Sequence, residues 1–324
     1  MCKITIFFCI FALSFKIFLQ MMKKTLFFLL LATAAIFATG QTTYTYLTRD
    51  TLALKMDVYQ PQNPRSDKAC ILYLFGGGFF TGSRCDSATV RTCRLLSSRG
   101  FVVAAIDYRL YLRHAPQLPL LQSYKLFDTA ISQATEDCAA AVAYLCRHAE
   151  ELHIDPSHIV FTGSSAGAIT VLQTDYSRAN GLPVVSALPQ EFRPAAVVAY
   201  SGGVFCRNSA LRYATEPVPT CMFHGTCDRI VSYKRFRGSL SMSLFGAHRL
   251  AKVFKKNGYN YWVLRFEDRG HEIAAALPAT IDEYCAFVDA ALRGRRMRYD
   301  ATCTDSAIRQ SKWTHMTLFQ LYGR

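Results

Sequence analysis

The 324-residue sequence has no GxxxxGK(S/T) loop, no pair of CxxC motifs and no internal repeat. These absences remove the P-loop phosphate cradle, the paired-thiol zinc sites and the repeat architectures. Acids are also scarce: 23 Asp and Glu against 37 Lys and Arg give a formal charge of +14. Residues 1–40 hold four lysines and no acid, so the remainder carries +10. Half of that lies from Arg293 onward, where seven basic residues face two acidic ones. The run "RGRRMR" has the composition of a nucleic-acid patch. Cations also favour a helix end, and we expect a solvated helix end with no nucleic-acid partner.

Apolar residues, in contrast, are abundant at 51%. They suffice for a globular chain with a full core, built as one large domain or two small ones. Two apolar stretches fall in the first forty residues. "MMKKTLFFLLLATAAIFATGQ" has two lysines, an apolar stretch and then small residues, the layout of a secretory signal peptide. We expect residues 1–40 to be this segment, with Met22 as the true start, Ala38 at the −3 position and cleavage between Gly40 and Gln41. The rival is a membrane anchor, but Lys23 and Lys24 divide the run. The expected product is exported, periplasmic or secreted, without a stable membrane anchor. Ten cysteines follow Gln41. Cys138 and Cys146, on one helix, are too far apart to bond, whereas Cys85 with Cys93, or Cys206 with Cys221 or Cys227, stay open as pairs.

Past Gln41, strand-like and helix-like segments alternate. "TLALKMDVYQP" has the alternation of a half-buried strand. "CILYLF", "FVVAAIDY", "HIVFTG", "AAVVAYSGG", "PTCMFHG" and "YWVLRF" are short apolar runs that end in glycine or polar residues, as buried parallel strands do. A helical stripe runs from Thr135, read as its N-cap, to Leu152, with Glu136 and Asp137 in its first turn; a second comprises Ile281, Tyr284, Val288 and Ala291. This order predicts an α/β fold, a mostly parallel central sheet with helices on both faces. In such a sheet the active site lies beyond the carboxyl ends of the strands, so what each strand ends in matters most.

Four strands end in residues suited to acyl transfer. "CILYLF" leads into Gly76–Phe80, whose glycines can leave N–H groups uncovered for an oxyanion. "HIVFTG" leads into "GSSAG", where Ser165 stands between Gly163 and Gly167 in the G-x-S-x-G register and Ser164 takes the variable position. The N–H of Ala166 then points at the same space from a helix start. "PTCMFHG" places Asp228 in a loop, and "YWVLRF" places His271 at the head of the last helix. A glycine run, a lone Asp or a lone His each has an ordinary reading as turn or surface. Their order along the chain, Ser165, Asp228, His271, differs from the chymotrypsin and subtilisin orders and suits a catalytic triad.

"GGGF", "DYR" (Asp107 to Arg109), "GSSAG", "HGTCDRIV" and "GHE" together resemble the α/β-hydrolase fold. The likeness is to the esterases related to hormone-sensitive lipase and to bacterial feruloyl and acetylxylan esterase-like proteins, and it covers Leu47 to Arg293. It implies a catalytic domain over 41–293 and a basic extension over 294–324. It implies Ser165 as nucleophile, His271 as general base, Asp228 as the orienting acid, Gly77, Gly78 and Ala166 as oxyanion donors, and no metal or organic cofactor. The substrate class is a small-molecule or carbohydrate ester with a short or aromatic acyl group. Two features depart from the family: Phe75 stands where a histidine is usual, and only 63 residues separate Ser165 from Asp228, leaving no room there for a large lid domain. Any cover is expected from Leu110–Phe127 or from Cys206–Pro219. A prolyl-oligopeptidase-type peptidase and an inactive hydrolase-fold binding protein are the alternatives.

Overall fold

The computed structural model of the chain describes residues 40–49, 51–114, 120–207, 210–237, 242–304 and 307–322. The signal-peptide reading of 1–40 thus lies outside the described residues, Gly40 excepted. Thr42–Arg324 forms one compact unit. Its main sheet has nine strands: β1 (Gln41–Arg49), β2 (Leu52–Tyr59), β3 (Cys70–Leu74), β4 (Val102–Ile106), β5 (Ile159–Ser164), β6 (Ala196–Tyr200), β8 (Thr220–Gly225), β11 (Tyr261–Phe266) and β12 (Arg298–Cys303). Across the sheet they stand in the order β1-β2-β4-β3-β5-β6-β8-β11-β12. From β4 to β12 every pairing is parallel, and β2 runs antiparallel to β4. The apolar runs became strands because β3, β4 and β6 are buried along their whole length on both faces.

The helices are α1 (Ser87–Ser98), α2 (Leu120–Arg147), α3 (Ala166–Ala179), α4 (Ala247–Asn257), α5 (Ile281–Leu292) and the short α6 (Leu318–Tyr322). The path from β3 through α1 to β4 steps one way along the sheet, whereas β4 through α2 to β5 and β5 through α3 to β6 step the other way. Right-handed crossovers therefore put α1 on the face opposite α2 and α3. The strand order reverses between β3 and β5, which opens a crevice beyond their carboxyl ends.

Three expectations need correction. The helix read as starting at Thr135 and reaching Leu152 runs from Leu120 to Arg147. Thr135 lies inside it, fully buried, with its hydroxyl bonded back to the Ile131 carbonyl at 2.7 Å. Glu136 and Asp137 answer Arg109 rather than a helix dipole: Arg109 Nη2 meets Glu136 at 2.7 Å, and its Nε meets Asp137 at 2.9 Å. The division at 293/294 is also absent, because β12 completes the main sheet beside β11 and Met297 is buried. Among the described residues, no bridge joins Cys85 to Cys93 or Cys206 to Cys221 or Cys227.

A second sheet, unforeseen in the sequence, joins β7 (Gly203–Cys206), β10 (Ser243–Gly246) and β9 (Arg235–Arg237) in that antiparallel order. Its strands have three or four residues, too few for a period to show. Among the described residues no helix is long and apolar enough to cross a membrane.

The Arg109–Asp137 pair is enclosed, with none of the Asp137 side chain exposed, whereas Asp282 in the Arg99–Asp282 pair is 82% exposed. Asp137→Ala, which leaves the half-buried Arg109 guanidinium short of its partner, should cost about 3 kcal/mol. Asp282→Ala should stay within about 0.5 kcal/mol. Urea unfolding of both variants checks the difference, and equal losses would contradict the burial argument.

Candidate active site

Ser165 stands at the turn from β5 into α3 with φ 50° and ψ −115°, a left-handed conformation that costs a non-glycine residue about 1–3 kcal/mol. Two close approaches hold it there. A Cβ on Gly163 would come within 2.4 Å of the Gly167 carbonyl group, and one on Gly167 within 2.1 Å of the Leu74 carbonyl oxygen. Glycine at both flanks lets strand, helix and the end of β3 meet without a side chain between them. The Ser165 N–H is tied to the Tyr200 carbonyl at 2.9 Å.

The structure brings the three candidate residues together. Ser165 Oγ donates to His271 Nε2 at 2.7 Å, and His271 Nδ1 donates to Asp228 Oδ2 at 2.9 Å. Ser165 and His271 are each 9% exposed, and Asp228 is buried. The other oxygen of Asp228 accepts the N–H groups of Ile230 and Val231, both at 3.0 Å. Burial would raise this carboxyl, but His271 and then His224 beside it outweigh that and hold it well below the usual carboxylate range. A depressed folded value means that Asp228 stabilises the fold above the ordinary carboxylate range. That contribution disappears only in strongly acid solution. Glu267 and Asp268, four and three residues before His271, are exposed.

The glycine turn after β3 lies across the crevice. Gly76 approaches so closely that a Cβ would lie 3.1 Å from Ser165 Cβ. Among the described residues, no protein acceptor takes the N–H of Gly77, Gly78 or Ala166. Phe75, in the place of the family histidine, stacks on Tyr108 with centroids 4.6 Å apart, and Tyr108 Oη donates to the Phe75 carbonyl at 2.8 Å. The "DYR" motif is thus a brace: Tyr108 steadies the glycine turn, Asp107 pairs with Arg84, and Arg109 pairs with α2.

Several contributors were not visible in the sequence. His224 donates to the Val231 carbonyl at 2.9 Å and lies 3.4 Å from Asp228 Oδ2; the "HG" before the acid was the available signal. Ser164 donates to the Ala274 carbonyl at 2.6 Å, linking the elbow to the turn that follows His271. The segment 307–322 contributes as well. The His271 N–H reaches the Trp313 carbonyl at 3.3 Å, and Glu272 Oε1 takes both the Thr314 hydroxyl and the Gly270 N–H.

Beside Ser165 a cleft lined by Phe79, Phe127, Ile169, Phe205, Leu244 and Leu321 offers about 60 Å³ to water-sized groups. Of the two covers expected, Leu110–Phe127 contributes Tyr124 and Phe127. Nothing from the described part of Cys206–Pro219 lines the cleft. The small sheet and α6 supply the rest. No group of three or more His, Cys, Asp or Glu suited to a metal occurs among the described residues.

Comparison with known proteins agrees with this architecture. Thermogutta terrifontis esterase 2 superposes with a TM-score of 0.57 at 23% identity, covering 77% of this chain and 91% of that one. The chain has the α/β-hydrolase fold. Within this fold, residues 56–203 match the BD-FAE family model, a span that includes the glycine turn and Ser165 but not Asp228 or His271. It is similar to Lipase 2 of Moraxella sp. (strain TA144), 33% identical over 102 residues, covering 32% of this chain and 20% of that protein. It is also similar to the acetyl esterase of Salmonella typhi, 35% identical over 116 residues, covering 36% and 30%. The matched portion thus spans less than a third of these curated relatives.

The geometry separates the acids. Asp228→Asn should lower kcat by two to four orders, since loss of the orienting acid costs about 10⁴ in a serine-protease triad. Glu267→Gln and Asp268→Asn should each stay within about tenfold of the parent, as exposed groups outside the relay. Steady-state kinetics on the three variants decide, and a collapse at Glu267 or Asp268 with Asp228→Asn intact would reject the assignment.

Proposed function

We propose that the chain is a serine carboxylic-ester hydrolase that works through an acyl-enzyme and takes short acyl groups. The observation that carries this reading is the unbroken Ser165–His271–Asp228 relay, at 2.7 and 2.9 Å, opening onto an apolar cleft. Ser165 is the nucleophile: its Oγ adds to the acyl carbon while His271 Nε2 takes the hydroxyl proton. The negative charge forming on the carbonyl oxygen is stabilised by the N–H groups of Gly77, Gly78 and Ala166, the last at the positive end of α3. Asp228 fixes the imidazole tautomer and stabilises the imidazolium. Collapse breaks the bond to the alcohol, which leaves with the proton from Nε2. Water then adds to the acyl-enzyme with His271 as base, and Ser165 is restored as the acid departs. Each step uses protein groups and water alone.

The cleft beside Ser165, walled by Phe79, Phe127, Ile169 and Phe205, suits an uncharged acyl group, and the choice of a short one is supported by relatives. The acetyl esterase of Salmonella typhi is consistent with this by name. So is Thermogutta terrifontis esterase 2, known with propionate or butyrate bound and phosphorylated by paraoxon.

A fluorophosphonate probe should label the parent and Ser164→Ala but not Ser165→Ala. On a panel of p-nitrophenyl acetate and butyrate, methyl ferulate, acetylated xylan and a prolyl peptide, kcat/KM should be highest for a short acyl ester. Preference for the prolyl peptide would favour a peptidase, and an unlabelled parent would favour a binding protein. We also propose export, on the lysine, apolar and small-residue order of 22–40. Intact mass of the exported chain should begin at Gln41, and recovery of uncleaved chain with membranes would overturn this.

A further inference from the structure

The glycine turn ends in a backbone conformation that Phe79 does not favour. Gly77, Gly78 and Phe79 follow one another with φ of 125°, 63° and 63°, and for Phe79 a left-handed backbone is costly. Each carbonyl in this run has a fixed donor. Gly77 O accepts from Phe80 N at 3.2 Å and Thr81 N at 3.0 Å, and Phe79 O accepts from Leu112 N at 3.0 Å. The middle one, Gly78 O, accepts from Tyr322 Oη at 2.6 Å, across 244 positions of sequence.

Tyr322 is itself well anchored. Its ring meets Phe80 and Phe127 edge-on at 5.3 and 5.0 Å. Leu318, at the start of the same short helix, donates its N–H to the Arg229 carbonyl at 3.3 Å, next in sequence to Asp228. Burial pushes the phenol above its ordinary range, so it stays protonated and remains a donor.

A trans peptide directs its C=O and N–H to opposite sides. Pinning the carbonyls of Gly77 and Gly78 therefore also directs the N–H groups of Gly78 and Phe79, which share those peptide planes. We propose that Tyr322 is a positioning residue for the oxyanion turn. Its hydroxyl holds the Gly78–Phe79 peptide and so fixes the C-terminal side of Gly78, bracing the turn whose Gly77 and Gly78 N–H groups serve the transition state. The proposal rests on the esterase reading of the site, and it assigns to the segment after β12 a part in the rate rather than in substrate affinity.

Steady-state kinetics on full-length Tyr322→Phe, which keeps the ring and removes only the hydroxyl, provide the test, with Tyr322→Ala and Ser165→Ala alongside. For Tyr322→Phe, kcat on p-nitrophenyl acetate should fall roughly fivefold to fiftyfold, less than the 10²–10³ that follows outright loss of an oxyanion donor. KM should stay within about twofold and Tm within about 2 °C, because one hydroxyl is a small part of the fold. Tyr322→Ala should lose more kcat and also alter the acetate-to-butyrate ratio, since its ring walls the cleft. Parental kcat in Tyr322→Phe, or a loss confined to KM, overturns the inference. Ser165→Ala keeps the two readings apart. If it is inert while Tyr322→Phe is unimpaired, only this inference fails; if it turns over normally, the esterase reading itself fails.

Discussion

Where β3 ends and α3 begins, the Leu74 carbonyl oxygen lies so near Gly167 that a single methyl group there would sit 2.1 Å from it. That contact fixes the distance between the glycine turn and the elbow, because Gly76 follows two residues after Leu74 and Ser165 precedes Gly167 by two. The crevice between β3 and β5 is a product of strand order, but its width is set by the lack of a side chain at this one crossing. Any residue other than glycine would push Ser165 away from the glycine turn. The strain at Ser165 persists because the elements meeting here leave it no alternative.

Around this contact the site is fastened from three directions. Ser164 ties the elbow to the turn after His271, and His224 with the Ile230 and Val231 amides ties down Asp228. The third is the segment 307–322, which meets the His271 loop through Trp313 and Thr314 and the glycine turn through Tyr322. A stretch whose composition suggests a charged appendage is therefore continuous with the working parts of the molecule.

The residues legible in the sequence were those whose signal is local. Each relay member follows directly on an apolar strand, and the Gly163–Ser165–Gly167 spacing records a steric requirement that no other residue type meets. What escaped was tertiary. Thr135 with Glu136 and Asp137 has the pattern of a helix start, yet the acids are there for Arg109, some 27 residues earlier. β12 has no hydrophobic alternation because it lies at the rim and buries little. The Tyr322–Gly78 bond leaves no trace in either neighbourhood, since nothing local distinguishes that tyrosine from the other aromatics.

Among the described residues the main sheet is open, so it has two rims, β1 and β12, each hydrogen-bonded to a neighbour on one side only. Unpaired rims invite a second chain to add a strand, the first step toward aggregation. Both rims here are polar: β1 reads QTTYTYLTR, and β12 sets Arg298, Asp300 and Thr302 on alternate positions. Two copies meeting rim to rim at β12 would bring arginines and aspartates into fixed registers that few alignments satisfy. The surplus of positive charge that marks this end of the chain adds like-charge repulsion to any such approach of two copies.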